Sequence, residues 1–323
     1  MAVTIFKIKT TLNGRLLQIG EGMGRLLPGR ASRWLLVAAL LASLVTGCRS
    51  AALPQVDLSY TSVQDQPRDG PPGVRPVYIA VAPVITPREN LNSFKPLIDY
   101  VSKRLGRPVR YVPTQTYAEI NEMMKYGAVD VALVCSYPYV LGREEGYMEL
   151  LAFPQIKGEV THSTYIIVPA DSPARSLEDL RGKSFAFSDP LSYSGRLVPT
   201  YMLWKMGETP EGFFGRTVFT YSHANSVKAV ARHIVDGASV VSAVHSYLLE
   251  KEPEYRDKVR VIATLPRTDT LPLVVRADLP ADLKRQLQEL FLTAHEDPAG
   301  REALAALRVE RFQPPDDRVY DVI

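Results

Sequence analysis

Short apolar runs and helical apolar patterns alternate from residue 77 onward. Apolar runs predict strands over 77–81, 109–112 and 129–134. Between them, apolar residues recur every three or four positions, which predicts one helix that ends at Leu105 and a second over 117–126. Strand and helix in this order are typical of a parallel sheet with helices on both faces.

A second cycle of the same kind follows the first. It contains predicted strands over 184–187, 217–221 and 238–244, and predicted helices over 196–206 and 227–235. The predicted fold class is therefore α/β, with two doubly wound lobes joined by a hinge.

The chain is expected to cross between the two lobes twice. Lobe 1 is predicted to comprise residues 76–168 and 266–323, and lobe 2 to comprise residues 169–265. Two crossing segments of this kind leave a cleft between the lobes, where a ligand can be enclosed.

Residues 1–47 have the pattern of a bacterial lipoprotein signal. Two arginines precede an apolar run over 34–44, which leads into Leu44-Val-Thr-Gly-Cys48. This ending is similar to a lipobox and predicts cleavage before Cys48 and lipid on its thiol. The alternative is an ordinary secretory signal in which a cysteine follows the apolar run by chance. Translation starts either at Met1 or at Met23.

Residues 48–75 are rich in Ala, Ser, Gln, Asp, Pro and Gly and show little periodicity, which predicts a flexible tether. A tether of this length has a reach of roughly 25–30 Å. The expected location is extracytoplasmic, with the folded body held at a membrane by the lipid on Cys48.

The charge balance argues against a basic nucleic-acid surface. The whole chain has a formal net charge of +3 at pH 7. Residues 1–47 contain six Lys or Arg and one Glu, so their removal lowers the charge to about −2. We expect no nucleic-acid partner.

Catalytic signatures are missing from the sequence. It contains no Gly-x-Ser-x-Gly elbow, no P-loop and no His-Glu-x-x-His motif. Cys135 is interpreted as a buried, inert thiol rather than a nucleophile. An enzyme that uses His223 or Cys135 is kept as an alternative, but we expect no enzymatic activity, no cofactor and no metal.

A serine-rich turn follows the predicted strand over 184–187. Ser188, Ser192, Ser194 and Gly195 lie where that strand ends and the next helix begins. Ligands of parallel α/β sheets bind at this edge, and the first N–H groups of a helix attract anions. The turn therefore suits a tetrahedral oxyanion, although serine is also an ordinary residue at a helix start.

Five ordered motifs carry a family resemblance. They are Asn92 to Tyr100 with Leu105-Gly106, Tyr117-Ala with Val129-Asp-Val-Ala, Asp179 to Lys183, Phe187 to Gly195 with Pro199, and Ser222-His223. Over residues 77–312 the chain resembles the periplasmic phosphonate, phosphate and phosphite-binding proteins of ABC importers, which are type II periplasmic binding proteins.

The resemblance implies a site for a phosphorus oxyanion. It implies that the turn residues bind the anion through hydroxyl and backbone N–H groups. It also implies that a histidine across from the turn donates a hydrogen bond to the anion, and that a tyrosine closes the site from lobe 1. The matching residues are Ser192, Tyr193, Ser194, Gly195, His223 and Tyr117. The implied partners are a small oxyanion and an ABC permease in the inner membrane, and the protein is expected to be a monomer.

The sequence departs from the family pattern in ways that bear on the ligand. Compared with the family that the chain resembles, Tyr193 replaces a small hydroxyl residue, and His162 replaces a tyrosine just before the crossing strand. Val240 and His245 replace acids, so an ammonium-bearing tail loses its counter-charge. We therefore expect phosphate, phosphite or another compact anion rather than 2-aminoethylphosphonate. His162 and His245 are either ligand-binding residues or strand-end residues packed at the hinge.

Transport and sensing remain two alternatives for this fold. The first is a lipid-anchored solute-binding protein that delivers its ligand to a permease. The second is a ligand-sensing lipoprotein that feeds a membrane receptor or histidine kinase. The sequence does not separate them.

Overall fold

A computed structural model describes residues 74–85 and 87–323. The predicted signal over 1–47, the predicted lipidation residue Cys48 and the tether up to residue 73 lie outside the described residues. Within the described part, none of the helices is both long enough and apolar enough to cross a membrane.

Sheet A forms the centre of lobe 1. Its strands are β1 (Val77–Val81), β2 (Val109–Val112), β3 (Val131–Leu133), β4 (Met148–Gln155), β10 (Leu273–Arg276) and β11 (Arg311–Gln313), in the order β2-β1-β3-β10-β4-β11. Strand β1 is parallel to β2 and β3, whereas β10 runs antiparallel to β3 and β4. The predicted parallel pairing is therefore confirmed for the first three strands.

Sheet B forms the centre of lobe 2 and follows the same plan. Its strands are β5 (His162–Pro169), β6 (Ser184–Phe187), β7 (Arg216–Phe219), β8 (Gly237–Val241) and β9 (Val259–Asp269), in the order β7-β6-β8-β5-β9. Strand β6 is parallel to β7 and β8, and β5 is antiparallel to β8 and β9.

Helices connect the strands in both lobes. Lobe 1 contains α1 (Pro87–Leu105), α2 (Tyr117–Lys125), α3 (Ser136–Glu144), α8 (Ala281–Thr293) and α9 (Pro298–Ala306), and lobe 2 contains α4 (Val198–Lys205), α5 (Pro210–Phe213), α6 (His223–Ala231) and α7 (Ser242–Lys251). The apolar face predicted for α2 is confirmed, because Tyr117, Ile120 and Met124 are all buried. The mixed α/β, two-lobed architecture is the predicted fold class.

The strand predicted over 238–244 is wrong at its end. Strand β8 stops at Val241 and α7 begins at Ser242, so His245 lies on a helix rather than at a strand end. A short apolar run does not distinguish a strand from a buried helix. The deciding feature is the helical spacing of Val244 and Leu248, which both face the core.

Strand pairing differs from the predicted lobe limits at two places. Strand β5 and the end of β9 were expected in lobe 1, but Thr164 pairs with Val241 and Ile166 pairs with Ala263 inside sheet B. The chain therefore crosses between the sheets at about residues 156–161 and 270–272.

The second crossing is held by lobe 1. The Ser136 Oγ accepts the Thr270 backbone N–H at 2.8 Å, and the Thr270 and Tyr320 hydroxyls are 2.7 Å apart. These buried contacts fix where the chain leaves lobe 1, so a lobe rotation is expected on the sheet B side of Thr270.

Candidate functional site

The serine turn begins at the carboxyl end of β6, as predicted. Ser192 starts a π-helical turn over Tyr193–Leu197, and its Oγ accepts the Gly195 backbone N–H at 3.0 Å. A Cβ on residue 195 would lie 1.7 Å from the Ser188 Oγ and 2.8 Å from the Ser192 Oγ. Glycine is therefore required for the two serine hydroxyls to approach the backbone.

Phenylalanines pack behind this turn and hold β6 in place. Phe185 and Phe187 are buried, and the Phe185 ring stacks on Phe214 with centroids 4.3 Å apart. The turn is thus built on a rigid strand of lobe 2.

His223 faces the serines from the start of α6. Its Nδ1 accepts the Val241 backbone N–H at 3.2 Å, while its Nε2 lies 3.3 Å from the Ser192 Oγ and 3.5 Å from the Ser188 Oγ. Burial lowers the pKa of His223 to about 3. The ring is therefore neutral at pH 7, with its proton on Nε2, where it acts as a hydrogen-bond donor.

Ser194 presents a buried hydroxyl within the same turn. The side chain is fully buried, its backbone carbonyl accepts the Ser239 hydroxyl at 2.6 Å, and its own Oγ has no hydrogen-bond partner among the described residues. A buried hydroxyl of this kind is uncommon in a structural turn. It is a ready donor to an anion.

Asp189 joins the two lobes beside the turn. One of its carboxylate oxygens accepts the Leu191 N–H at 2.8 Å, and the other accepts the N–H of Tyr117 at the start of α2 at 3.2 Å. Both Asp189 and Tyr117 are buried. Burial raises the pKa of Asp189, and the two backbone donors oppose that shift.

The loop after β1 makes a second contact between the lobes. The Val84 carbonyl accepts the His223 N–H at 3.1 Å and the Ser222 hydroxyl at 3.3 Å. The start of α6 in lobe 2 is therefore hydrogen-bonded to lobe 1, so the structure shows the two lobes in contact over the serine turn.

Arg196, a cationic residue of the π-helical turn, contacts neighbours other than the serines. Arg196 lies over the Phe187 ring at 4.4 Å from its centroid, and it pairs with Glu211 at 3.6 Å. An anion at the turn would therefore be held by neutral hydroxyl, imidazole and backbone donors, which discriminate by geometry rather than by charge alone.

The remaining predicted residues occupy separate positions. Tyr193 is buried as the first residue of the π-helical turn, and His162 is buried at the start of β5. His245 lies on α7, where its ring meets Tyr165 edge-on with centroids 5.4 Å apart, and burial lowers its pKa. His245 is thus packed against β5.

Sequence reasoning gave no role to Asp189, although it lies within the motif from Phe187 to Gly195. Asp189 lies between the serine turn and the start of α2 because the two lobes are in contact there, and a contact between lobes leaves no pattern in the local sequence. The contact made by the Val84 carbonyl was also missed, because a backbone acceptor leaves no signal in the side-chain pattern of the sequence.

A cavity of about 340 Å³ lies between the lobes next to both crossing segments. Its lining includes Val84, Asn90, His162, Ser242 and Leu271. The serine turn is not part of this lining. The interlobe region therefore has two parts, the polar turn and the larger cavity beside it.

Comparison with known proteins identifies the family. The family model described as "ABC transporter, phosphonate, periplasmic substrate-binding protein" matches residues 79–320. The chain belongs to this family. Its members are substrate-binding transport proteins, so the protein is not an enzyme and functions outside the cytoplasm with a small ligand and a membrane permease.

Two named relatives have the same identity to this chain. The chain is 27% identical over 236 residues to the phosphonates-binding periplasmic protein of Escherichia coli K12, covering 71% of this chain and 70% of that protein. It is 27% identical over 225 residues to the phosphate-import protein PhnD of Mycolicibacterium smegmatis, covering 66% of this chain and 67% of that protein.

Solved structures show the same fold. A binding protein of an ABC phosphonate transporter from Pseudomonas aeruginosa has 26% identity and a TM-score of 0.72, covering 76% of this chain and 83% of its own. PhnD1 from Prochlorococcus marinus, solved with methylphosphonate, has 18% identity and a TM-score of 0.70, covering 76% of this chain and 95% of its own. The two-lobed fold of this phosphonate-binding family is therefore shared.

Proposed function

We propose that the protein binds a phosphorus oxyanion at the serine turn and delivers it, as a lipid-anchored monomer, to an ABC permease. The observation that carries this proposal is the buried Ser194 hydroxyl, which has no hydrogen-bond partner among the described residues. It lies one residue from Gly195, whose backbone approaches two further serines. Phosphate, phosphite and the head of a phosphonate present oxygens that suit such donors.

The ligand head is held in this proposal by groups from both lobes. Ser192 and Ser194 bind from the turn, His223 donates through Nε2, and Tyr117 closes from the start of α2. Hydrogen bonds at Asp189 and Val84 keep these groups together when the lobes meet. Ligand contacts that exist only when the lobes meet favour the closed state over the open one.

An ammonium-bearing tail is disfavoured in this proposal. Val240 is a buried apolar residue of β8, and His245 is neutral at pH 7 because burial lowers its pKa. Neither provides the negative charge that would offset the desolvation of an amine. The proposed ligands are therefore anions without an amino group.

The lipid anchor is proposed from the motif at Leu44 to Cys48. Intact-mass analysis of the membrane-extracted protein tests it, because cleavage and diacylation give a chain that starts at Cys48 with added lipid mass. Cys48→Ser is expected to remain unprocessed and without lipid. A mature protein that starts elsewhere would contradict the anchor.

Isothermal titration of the full chain in detergent tests the ligand class. Phosphate, phosphite, methylphosphonate and 2-aminoethylphosphonate are titrated in turn, with sulfate as the control anion. We expect binding of at least one phosphorus oxyanion without an amino group and weaker binding of 2-aminoethylphosphonate. Preference for the amino compound would contradict the proposed ligand class, and no binding would contradict the site.

Transport is tested in cells that lack the gene. Loss of uptake of the bound anion, restored by the intact gene, supports delivery to a permease. Normal uptake together with a lost transcriptional response to the anion would instead identify the sensing role.

A further inference from the structure

Exposed apolar side chains are concentrated on one part of lobe 2. Of the ten large apolar side chains that are exposed among the described residues, five lie within residues 201–221. We name them the aromatic strip, which consists of Tyr201, Trp204, Met206, Phe219 and Tyr221. Scattered exposed apolar residues are normal, whereas a cluster of them indicates a surface that meets a protein or a membrane.

Ring contacts connect the two ends of the strip. The Tyr201 and Trp204 rings stack on α4 with centroids 5.8 Å apart. Phe219 ends β7, and its ring centroid lies 6.3 Å from that of Tyr221. Arg196, eight residues before Trp204, places its guanidinium 6.0 Å from the Phe219 centroid. The strip therefore joins α4 to the end of β7, which is the edge strand of sheet B.

The exposure of the strip follows from the two-sided character of α4. Leu203 is fully buried in the core beneath the helix, together with Phe185 and Phe187. Trp204, the next residue, is 68% exposed. A ring of this size gains much from leaving water, so a partner outside the chain that covers it would bind favourably.

The charges beside the strip suit an anionic partner. Residues 190–207 contain Arg196 and Lys205 and no Asp or Glu. The next acids along the chain, Glu208 and Glu211, each pair with an arginine. Among the described residues, no carboxylate lies within ion-pair distance of Lys205. Its charge is therefore available to a negative group outside the chain.

A bilayer fits this combination of side chains better than a protein does. Trp and Tyr combine an apolar ring with a polar group, and both are enriched where acyl chains meet lipid headgroups. Lysine near such a surface is attracted by anionic headgroups, whereas lysine is depleted at protein–protein interfaces. The exposed Lys205 beside Tyr201 and Trp204 thus favours lipid as the occupant.

The proposed anchor brings the strip within reach of a membrane. The segment from Cys48 to residue 73 can span at most about 90 Å when fully extended. Lipid on Cys48 would hold the body at the bilayer, but a segment of this length restricts its orientation little. A contact on the body itself is needed to give one face a preference for the membrane.

We infer that the aromatic strip docks on the anionic headgroup region of a bilayer and orients lobe 2 on the membrane that carries the anchor. The inference rests on the proposed lipid anchor. It goes beyond the proposed function, because the strip contacts lipid rather than the oxyanion or the permease.

Trp204 reports directly on the strip. The chain has two tryptophans, Trp34 and Trp204, so tryptophan fluorescence of the full chain with Trp34→Phe comes from Trp204 alone. The protein is extracted from membranes and reconstituted in vesicles of equal parts phosphatidylcholine and phosphatidylglycerol, with and without lipids brominated close to the headgroup. We expect the emission to move to shorter wavelength on the vesicles and to be quenched by the brominated lipids.

The matched control moves the reporter to lobe 1. Tyr126 directly follows α2, is 76% exposed and lies outside the strip. The chain with Trp34→Phe, Trp204→Phe and Tyr126→Trp is expected to show neither the shift nor the quenching. Equal quenching of the two reporters would overturn the inference, since the body would then meet the bilayer without a preferred face.

Lys205→Gln tests the electrostatic part of the docking. Loss of one lysine charge near an anionic surface is expected to lower the ratio of docked to undocked strip about fivefold, which is measured as weaker quenching of Trp204. Lys95→Gln, at an exposed lysine of lobe 1, is expected to keep the full quenching. Unchanged quenching in Lys205→Gln would overturn the assignment to anionic headgroups.

The outcomes separate this inference from the proposals beneath it. Intact mass of the same sample measures the lipid on Cys48. Without that lipid the anchor fails, and titration of the protein with the same vesicles still decides whether Trp204 meets lipid. With the lipid present, absence of quenching would overturn the docking and leave the anchor standing. Absence of quenching together with lost uptake in Trp204→Ala would overturn it in favour of a contact with the permease.

Discussion

The carboxylate of Asp189 in lobe 2 accepts the backbone N–H of Tyr117 in lobe 1 at 3.2 Å. The same carboxylate accepts the Leu191 N–H within its own turn, so one side chain orders the serine turn and links it to the start of α2. The positive end of that helix dipole faces the carboxylate, which favours the ionised form. Lobe contact and turn geometry are therefore coupled through Asp189.

Asp189→Asn is predicted to weaken oxyanion binding. The amide has one acceptor oxygen where the carboxylate has two, so the Leu191 or the Tyr117 N–H loses its acceptor. A hydrogen bond to a charged group contributes about 1.5–3 kcal/mol, which corresponds to a roughly 10- to 150-fold rise in Kd. Titration calorimetry measures the Kd.

The control for this variant is Asp171→Asn. Asp171 is a carboxylate of the same lobe whose side chain is 76% exposed. It is expected to keep the affinity of the unmodified protein. A Kd for Asp189→Asn within twofold of this control would show that the carboxylate does not support closure.

The burial of His223 predicts a loss of stability in acid. Its pKa is about 3 in the folded state, against about 6.5 in the unfolded chain. Above pH 6.5 both states are neutral and the residue adds no pH dependence. Below that pH the unfolded chain takes up the proton first, so the free energy of unfolding falls by about 1 kcal/mol per pH unit between roughly pH 6 and pH 4.

Urea unfolding at pH 7, 6, 5 and 4 measures this dependence. His223→Gln is expected to show a shallower fall than the unmodified protein, because the titrating ring is gone. His233→Gln, at an exposed side chain, is expected to retain the full slope. An unchanged slope in His223→Gln would mean that the buried ring does not cause the fall in the free energy of unfolding in acid.

Gly195→Ala is predicted to disrupt the turn. The new Cβ would lie 1.7 Å from the Ser188 Oγ, so the backbone has to shift away from the serines. Overpacking of this kind costs about 1–3 kcal/mol of stability and removes the close approach of the backbone to the anion. Thermal unfolding and titration calorimetry are both expected to show a loss.

The matched variant is Gly212→Ala in α5. Its new Cβ would meet only the Thr209 Oγ1, at 3.4 Å, and the Glu208 carboxylate, at 3.9 Å. We expect stability and binding close to those of the unmodified protein. Normal binding in Gly195→Ala would contradict the requirement for glycine in the turn.

Local patterns predicted the strands and the turn that carry the serines. The apolar run over 184–187 and the serines after it predicted the strand end at Phe187 and the turn that follows, whereas the helix predicted over 196–206 begins earlier, with a π-helical turn over Tyr193–Leu197. Both signals depend on neighbours in sequence, so a single chain is enough to interpret them.

Long-range features were missed because they depend on contacts between distant residues. Asp189 and Tyr117 are 72 positions apart, and their hydrogen bond exists only where the lobes meet. His245 was assigned to a strand end because the small apolar run before it fits both a strand and a helix. Strand β4 was also missed, since its charged Glu149 and its Pro154 interrupt the apolar pattern.

The central claim is that the Ser194 hydroxyl binds the ligand rather than the protein, and Ser194→Ala tests it most directly. Ser226→Ala is the control, because the Ser226 hydroxyl is buried but pairs with the Thr220 hydroxyl at 2.7 Å. Ser194→Ala should weaken binding of the preferred oxyanion by about 1.5–3 kcal/mol without lowering stability. Ser226→Ala should lower stability by about 1 kcal/mol and preserve binding. Unchanged affinity in Ser194→Ala would contradict the account and leave the turn as no more than a helix start.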